Sequence, residues 1–192
     1  MASHGSKRIR KKDFEKAFSR ETRYFLFNKI QEIKGSKQGL SNRFLTQVLC
    51  DQPSFIGVFP QDYLLHVSFI SFPVSLILNL DVSSQPGSHW IALYITHNSL
   101  EIYDSLGLDP TTWTRKPVIL LKFIEKISKT REIFVTPRFQ SDTSNLCGVY
   151  SVLFLTLRNN YTFKNLCHLF SRDFNLNDSV LLSFFQKTFG DN

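Results

Sequence analysis

Cys147 opens the apolar run "CGVYSVLFLTL", and six residues separate it from Gln140. Far upstream lie His89, at the head of "HWIALYI", and Asp104, at the exit of "LEIYDSLG". A thiol, an imidazole, a carboxylate and a side-chain amide are what acyl transfer by cysteine requires: nucleophile, base, a group that orients the base, and a donor for the developing oxyanion. Two other readings of Cys147 stand beside this one, a packed small hydrophobe and a metal ligand. In the first turn of a helix the thiol feels the positive helix end, which favours thiolate, and Ser144 or Asn145 is placed to cap that turn. A lone cysteine so placed is nevertheless more often structural than functional, so the decision rests on its partners.

Of the five histidines, His4 lies in a basic tail, His66 and His97 in loop or turn positions, and His168 beside Cys167 on a late helix. His89 differs, because it follows the flexible "SSQPGS" at the lip of a strand, where a rigid scaffold can present a side chain. If "HWIALYITH" and "LEIYDSL" form a hairpin through the short turn at His97 and Asn98, the start of one and the end of the other lie side by side. His89 and Asp104 are then neighbours, although any hairpin brings some pair together.

The elements that must position these groups follow from periodicity and turn signals. Phe14, Phe18, Phe25, Ile30 and Ile33 fall near helical spacing, so a helix is predicted over about residues 13–34, broken by "KGSKQG". Ser41 is placed to cap a short helix in "NRFLTQVLC". The stretches "VSLILNL", "HWIALYITH", "LEIYDSL" and "EIFVTP" read as strands, and "PVILLKFIEKISKT" reads as a helix. The helix from about Leu146 has few polar positions and is expected in the middle of the fold, with Gly148 admitting a close neighbour. "TFKNLCHLF" and "DSVLLSFFQKTF" close the chain as helices. The order predicts an α+β domain, a small central mixed or antiparallel sheet flanked by helices.

Composition sets the outer limits. A chain of 192 residues, 42% hydrophobic and 14% aromatic, can bury one core. No apolar run reaches the roughly 20 residues of a spanning helix, and no clean signal core follows "MASHGSKRIRKK", so no membrane partner or secretion is expected. Cys50, Cys147 and Cys167 form no disulfide framework, which fits a reducing intracellular compartment, and no metal set is evident. Residues 1–38 carry 11 basic and 4 acidic residues, a net +7, while the remainder carries 12 of each. The run Lys7 to Lys12 reads equally as a nuclear address, a phosphate-contacting arm or a solvated tail. The chain is accordingly divided into a basic, helical N-terminal extension, residues 1–38, and a domain over residues 39–192.

Taken together, "GSHWIAL", "YDSLG" and a glutamine six residues short of "CG" resemble the signature of the cysteine proteases grouped with adenain, the adenovirus processing protease, and with the SUMO-specific proteases. "SFIGVFPQDYLL" followed by "SFPVSLILNLDVSSQPGSHW", and the Gln140 to Cys147 spacing, are more similar to adenain. The resemblance covers roughly Leu40 to Leu157. It implies a papain-like core in circularly permuted order, with a buried central helix carrying the nucleophile. Cys147 would be that nucleophile, His89 the general base, Asp104 its orienting acid and Gln140 the oxyanion-hole amide, with Trp90 packed near the imidazole. Asp104 departs from the glutamate of adenain and agrees with the SUMO-protease branch.

The resemblance further implies a monomeric endopeptidase that cuts Gly-containing sites in precursor polypeptides, capsid or core proteins, of a virus or virus-derived transposon, in a host nucleus or virion. No cofactor is required for the chemistry, and DNA is a candidate activator through residues 1–38. A disulfide-linked peptide activator is not expected, because "KFIEKISKTREIFVTPRF" lacks the cysteine that would hold it. The alternatives are a deconjugating isopeptidase for a ubiquitin-like modifier and a non-catalytic, basic nucleic-acid-binding relative.

Overall fold

The computed structural model describes residues 19–33 and 39–189. Five strands, β1 (Phe55–Pro60), β2 (Val74–Asn79), β3 (Trp90–Ile95), β4 (Ser99–Tyr103) and β5 (Glu132–Val135), form one sheet in the order β1-β2-β3-β4-β5. β3 is antiparallel to both β2 and β4, and each edge strand runs parallel to its neighbour. Around the sheet lie helices α1 (Arg20–Ile33), α2 (Asn42–Leu49), α3 (Val118–Ile127), α4 (Cys147–Arg158), α5 (Phe163–Cys167) and α6 (Phe174–Phe189). None of these helices is long and apolar enough to cross a membrane.

Alternation along the strands sorts the core into two layers. Leu76, Leu78, Ile91, Leu93, Leu100 and Ile102 meet Leu120 of α3 on one face, whereas Ile77, Ala92, Tyr94 and Tyr103 meet α2 and α4 on the other. Both faces being covered, β2 is buried at every position, which is why "VSLILN" is mostly apolar on both faces, with Leu76, Ile77 and Leu78 in succession and no clean alternation. Helix α4 is buried from Cys147 to Leu157. A helix apolar all round belongs in a core, and α4 fills the space over β3.

The predicted α+β class, with a mixed sheet flanked by helices and Cys147 on a buried central helix, is the architecture found. Ser41 caps α2, accepting from the Phe44 N–H. The predicted first helix is described as Arg20–Ile33; residues 13–18 and 34, and the run Lys7 to Lys12, lie outside the described residues. Leu26 and Ile30, from the segment assigned to the N-terminal extension, are fully buried in the same cluster as α4.

One strand escaped the sequence reading. β1 carries Gly57 at φ 139°, where its register to β2 shifts, and ends in Pro60. Glycine and proline both argue against a central strand, and both are tolerated here because β1 is an edge.

At its far end α4 is pinned by charge. Arg158 grips Glu101 of β4 through two nitrogens, Nε at 2.6 Å and Nη2 at 2.8 Å, and Tyr103 Oη donates to the same carboxylate at 2.7 Å. The bidentate fork fixes the axial position of α4 over the sheet.

Candidate active site

His89 immediately precedes β3, on a connection whose path is set by one side chain. The Leu80 N–H donates to the His89 carbonyl at 3.0 Å, extending the β2–β3 ladder one step beyond Asn79 and Trp90. Asn79 Oδ1 accepts from the Asp81 N–H at 2.9 Å and the Ser88 N–H at 3.4 Å, tying both ends of the loop together. Gly87, at φ 85°, passes so close that a Cβ there would lie 2.8 Å from Asn79 Nδ2. The connection flexible in composition is therefore anchored, and His89 is held at the end of the sheet.

Asp104 leaves β4 beside it. Its Oδ1 lies 2.7 Å from His89 Nε2, and the same carboxylate accepts the backbone N–H of Leu106 at 2.8 Å and, through Oδ2, that of Leu108 at 2.8 Å. Thr136 Oγ1 clamps the Asp104 backbone from β5's exit, accepting its N–H at 2.9 Å and donating to its carbonyl at 2.6 Å. Asp104 is 1% exposed and so cannot swing away from the ring. With Nε2 engaged, Nδ1 of His89 is left for the thiol.

Cys147 occupies the first residue of α4, 7% exposed. Burial pushes its thiol up. The adjacent His89 charge, a hydrogen bond with His89 and backbone bonds from Trp90 and Gly148 outweigh that and hold it below its ordinary value. Burial likewise pushes His89 down, but the Cys147 charge and the bond to Asp104 leave it raised above its ordinary 6.5. Opposite shifts in two touching groups favour a thiolate–imidazolium pair. The expected side-chain cap from Ser144 or Asn145 is not what the structure has: Leu146 stands at the N-cap, with no side-chain cap bond. Its apolar side chain is buried in the core, and the positive end of α4 faces the thiol without a competing side chain at the cap.

Gln140 is 2% exposed. Nε2 donates to the Ser144 carbonyl at 2.8 Å and Oε1 accepts from Ser105 Oγ at 2.6 Å. A carbonyl cannot donate, so the Ser144 contact fixes which end of the amide is the NH₂. One Nε2 hydrogen remains. The 105–107 turn closes on this segment because Gly107, at φ 74°, leaves room for the Arg138 backbone; a Cβ would meet Arg138 N at 2.9 Å. Ser105 carries no role in the "YDSLG" motif itself, and its position next to Asp104 is the signal the sequence offers.

Cys147, His89, Gln140 and Trp90 line one groove of about 880 Å³, with Asp104 behind His89. Trp90 Nε1 donates to the Leu40 carbonyl at 2.9 Å. A Cβ on Gly148 would sit 3.1 Å from Leu40 Cβ and 3.4 Å from Trp90 Cδ1, so the close neighbours admitted by this glycine are Leu40 and Trp90. Cys50 is exposed and Cys167 half-buried, and neither is in a disulfide. Among the described residues no cluster of three or more His, Cys, Asp or Glu is arranged to hold a metal.

No family model matches the chain. Over 112 residues, 55% of this chain, it is 31% identical to a protein of Acanthamoeba polyphaga mimivirus described as "Putative thiol protease R355". The chain spans about a third of that relative's length, 36%. Among solved structures it is similar to the SUMO protease Ulp1 with its catalytic cysteine oxidised to a sulfinic acid, at a TM-score of 0.41 and 12% identity, over 96% of this chain and 98% of the other. In sequence the chain is thus similar to a thiol protease, the class of protein that its motifs resemble.

Proposed function

We propose that this protein is a cysteine peptidase in which Cys147 is the nucleophile, His89 the general base and acid, Asp104 the orienting carboxylate and Gln140 an oxyanion donor. The observation that carries the reading is His89 held between Asp104 and a Cys147 whose thiol is lowered although buried. The thiolate attacks the scissile carbonyl carbon, and the negative charge moves to its oxygen. There the Cys147 N–H and the remaining Nε2 hydrogen of Gln140 are the available donors, each worth about 3 kcal/mol in such sites. Collapse breaks the C–N bond while imidazolium gives its proton to the leaving amine. His89 then takes a proton from water, which hydrolyses the thioester and regenerates the thiolate.

The finer reading is an endopeptidase that matures precursor proteins at Gly-containing sites, in a viral or virus-derived setting. It is supported by the adenain-like motifs and by the mimivirus relative. The net +7 of residues 1–38 supports DNA as an activating polyanion. The test incubates the protein, with and without DNA, with Gly-Gly-containing peptides and with ubiquitin-like fusion proteins, read by intact mass beside Cys147→Ala. Cleavage of the peptides at one defined bond, absent in the variant, is the expected result. Cleavage of the fusions alone would favour a deconjugating isopeptidase, and no Cys147-dependent cleavage of either would overturn the peptidase reading.

A further inference from the structure

The groove has a second polar feature away from the thiol. Asp81 and Trp113 both line it, on the wall made by residues 79–83 and 112–115. Asp81 is 2% exposed, and its Oδ2 has no hydrogen-bond partner among the described residues; nor has Trp113 Nε1. The other carboxylate oxygen is met only by Arg115 Nη1 at 3.5 Å, from a side chain about half exposed. A buried carboxylate answered by one long contact and a buried indole N–H answered by none are under-satisfied in opposite senses. Asp81 needs a donor with positive charge, and Trp113 needs an acceptor.

An extended peptide residue with a basic side chain supplies both. Its ammonium or guanidinium would answer Asp81 against the Trp113 ring, a favourable surface for a cation, and a main-chain carbonyl would accept from Trp113 Nε1. The site is close to the chemistry, because Asp81 directly follows Leu80, whose N–H is bonded to the His89 carbonyl. We infer that Asp81 and Trp113 form a specificity subsite for a lysine or arginine side chain of the substrate, near the scissile bond, with Arg115 the occupant it displaces. This rests on the peptidase reading for its biological meaning but not for its detection.

The test separates the two. In Cys147→Ala, which cannot turn over, the indole N–H resonances of Trp90 and Trp113 are followed by NMR while N-acetyl-lysine methylamide or its neutral norleucine counterpart is added. The lysine compound should shift the Trp113 signal saturably, about tenfold more tightly than norleucine. Asp81→Asn should remove that difference, and Arg115→Ala, by freeing the carboxylate, should enlarge it. Equal binding of the two compounds, or a preference that survives Asp81→Asn, would overturn the subsite. With active protein and a randomised peptide pool, one position near the cut should prefer lysine or arginine, and the preference should vanish in Asp81→Asn. Lysine-selective binding without any cleavage would leave the subsite standing and overturn the peptidase reading. Cleavage with no basic preference would do the reverse.

Discussion

Ser105 Oγ lies 2.6 Å from Gln140 Oε1, and both side chains are buried. The contact joins the residue after Asp104 to a residue that lines the same groove as Cys147, so the carboxylate and the amide are set by one turn. Gln140→Ala should lower kcat about 10²- to 10³-fold, the usual loss of one oxyanion donor. Ser105→Ala should lower kcat by a smaller factor, about tenfold, with KM little changed, because the amide remains but is no longer held. A KM raised about tenfold with kcat unchanged would show that Ser105 supports substrate binding instead.

The Cys147–His89 pair makes a pH prediction with a definite sign. Above the lowered thiol value and below the raised imidazole value the pair is thiolate and imidazolium. Iodoacetamide should therefore alkylate Cys147 well below pH of about 8, where an ordinary thiol of pKa about 8.5 is slow. His89→Ala removes the charge and leaves the burial, so its alkylation should need a higher pH than an ordinary thiol. Mass spectrometry by residue, with exposed Cys50 as the internal standard, reads both.

Asp104→Asn should reduce turnover by about two to four orders of magnitude with the fold intact, as in sites where an amide replaces the orienting carboxylate. Asparagine keeps one acceptor oxygen, so besides the change at Nε2 one of the two N–H groups that now bond the carboxylate, Leu106 at Oδ1 or Leu108 at Oδ2, loses its acceptor, at a cost of about 1–3 kcal/mol. A modest drop in Tm by circular dichroism, with kcat lost, would confirm the division; loss of the folded state would assign Asp104 a mainly structural role.

Stability should depend on pH through Asp178, which accepts from Tyr150 Oη at 2.8 Å and from the Ser141 N–H at 3.2 Å. Burial raises its carboxyl above 3.8 despite those bonds. A raised acid binds its proton more tightly folded than unfolded, so its contribution is full below about pH 3.9 and lost as pH rises through the folded value. Wild type should lose stability relative to Asp178→Asn as pH rises toward neutrality, measured by calorimetry. A difference constant with pH would contradict the burial argument.

Arg158→Met should cost about 3–5 kcal/mol in unfolding free energy, because Glu101 would be left charged and buried without its partner. The double variant Arg158→Met with Glu101→Gln should recover much of that loss. Chemical denaturation of wild type, Arg158→Met, Glu101→Gln and the double variant supplies the cycle.

Much of this molecule was legible one residue at a time. Period-two and apolar runs located β2, β3, β4 and β5, the Ser41 cap marked α2, and the continuous apolar face after Cys147 announced a core helix, since burial on all sides leaves no polar stripe. The order His89, Asp104, Gln140 and Cys147 was legible too, because each carries chemistry in its own side chain. What the sequence did not show lies in contacts between segments far apart in the chain. β1 was hidden by Gly57 and Pro60, which are harmless only at an edge, and edge position is a property of the whole sheet. Ser105 acquires its role only when the 105–107 turn meets residues 138–140, and Asn79 only when the loop it anchors folds back on it. Asp81 and Trp113 look like an ordinary loop acid and a core aromatic until burial strips them of water and leaves Asp81 Oδ2 and Trp113 Nε1 without a partner among the described residues. Type and order are local properties, whereas satisfaction of a buried polar atom depends on what the fold brings to it, and only the tertiary structure decides that.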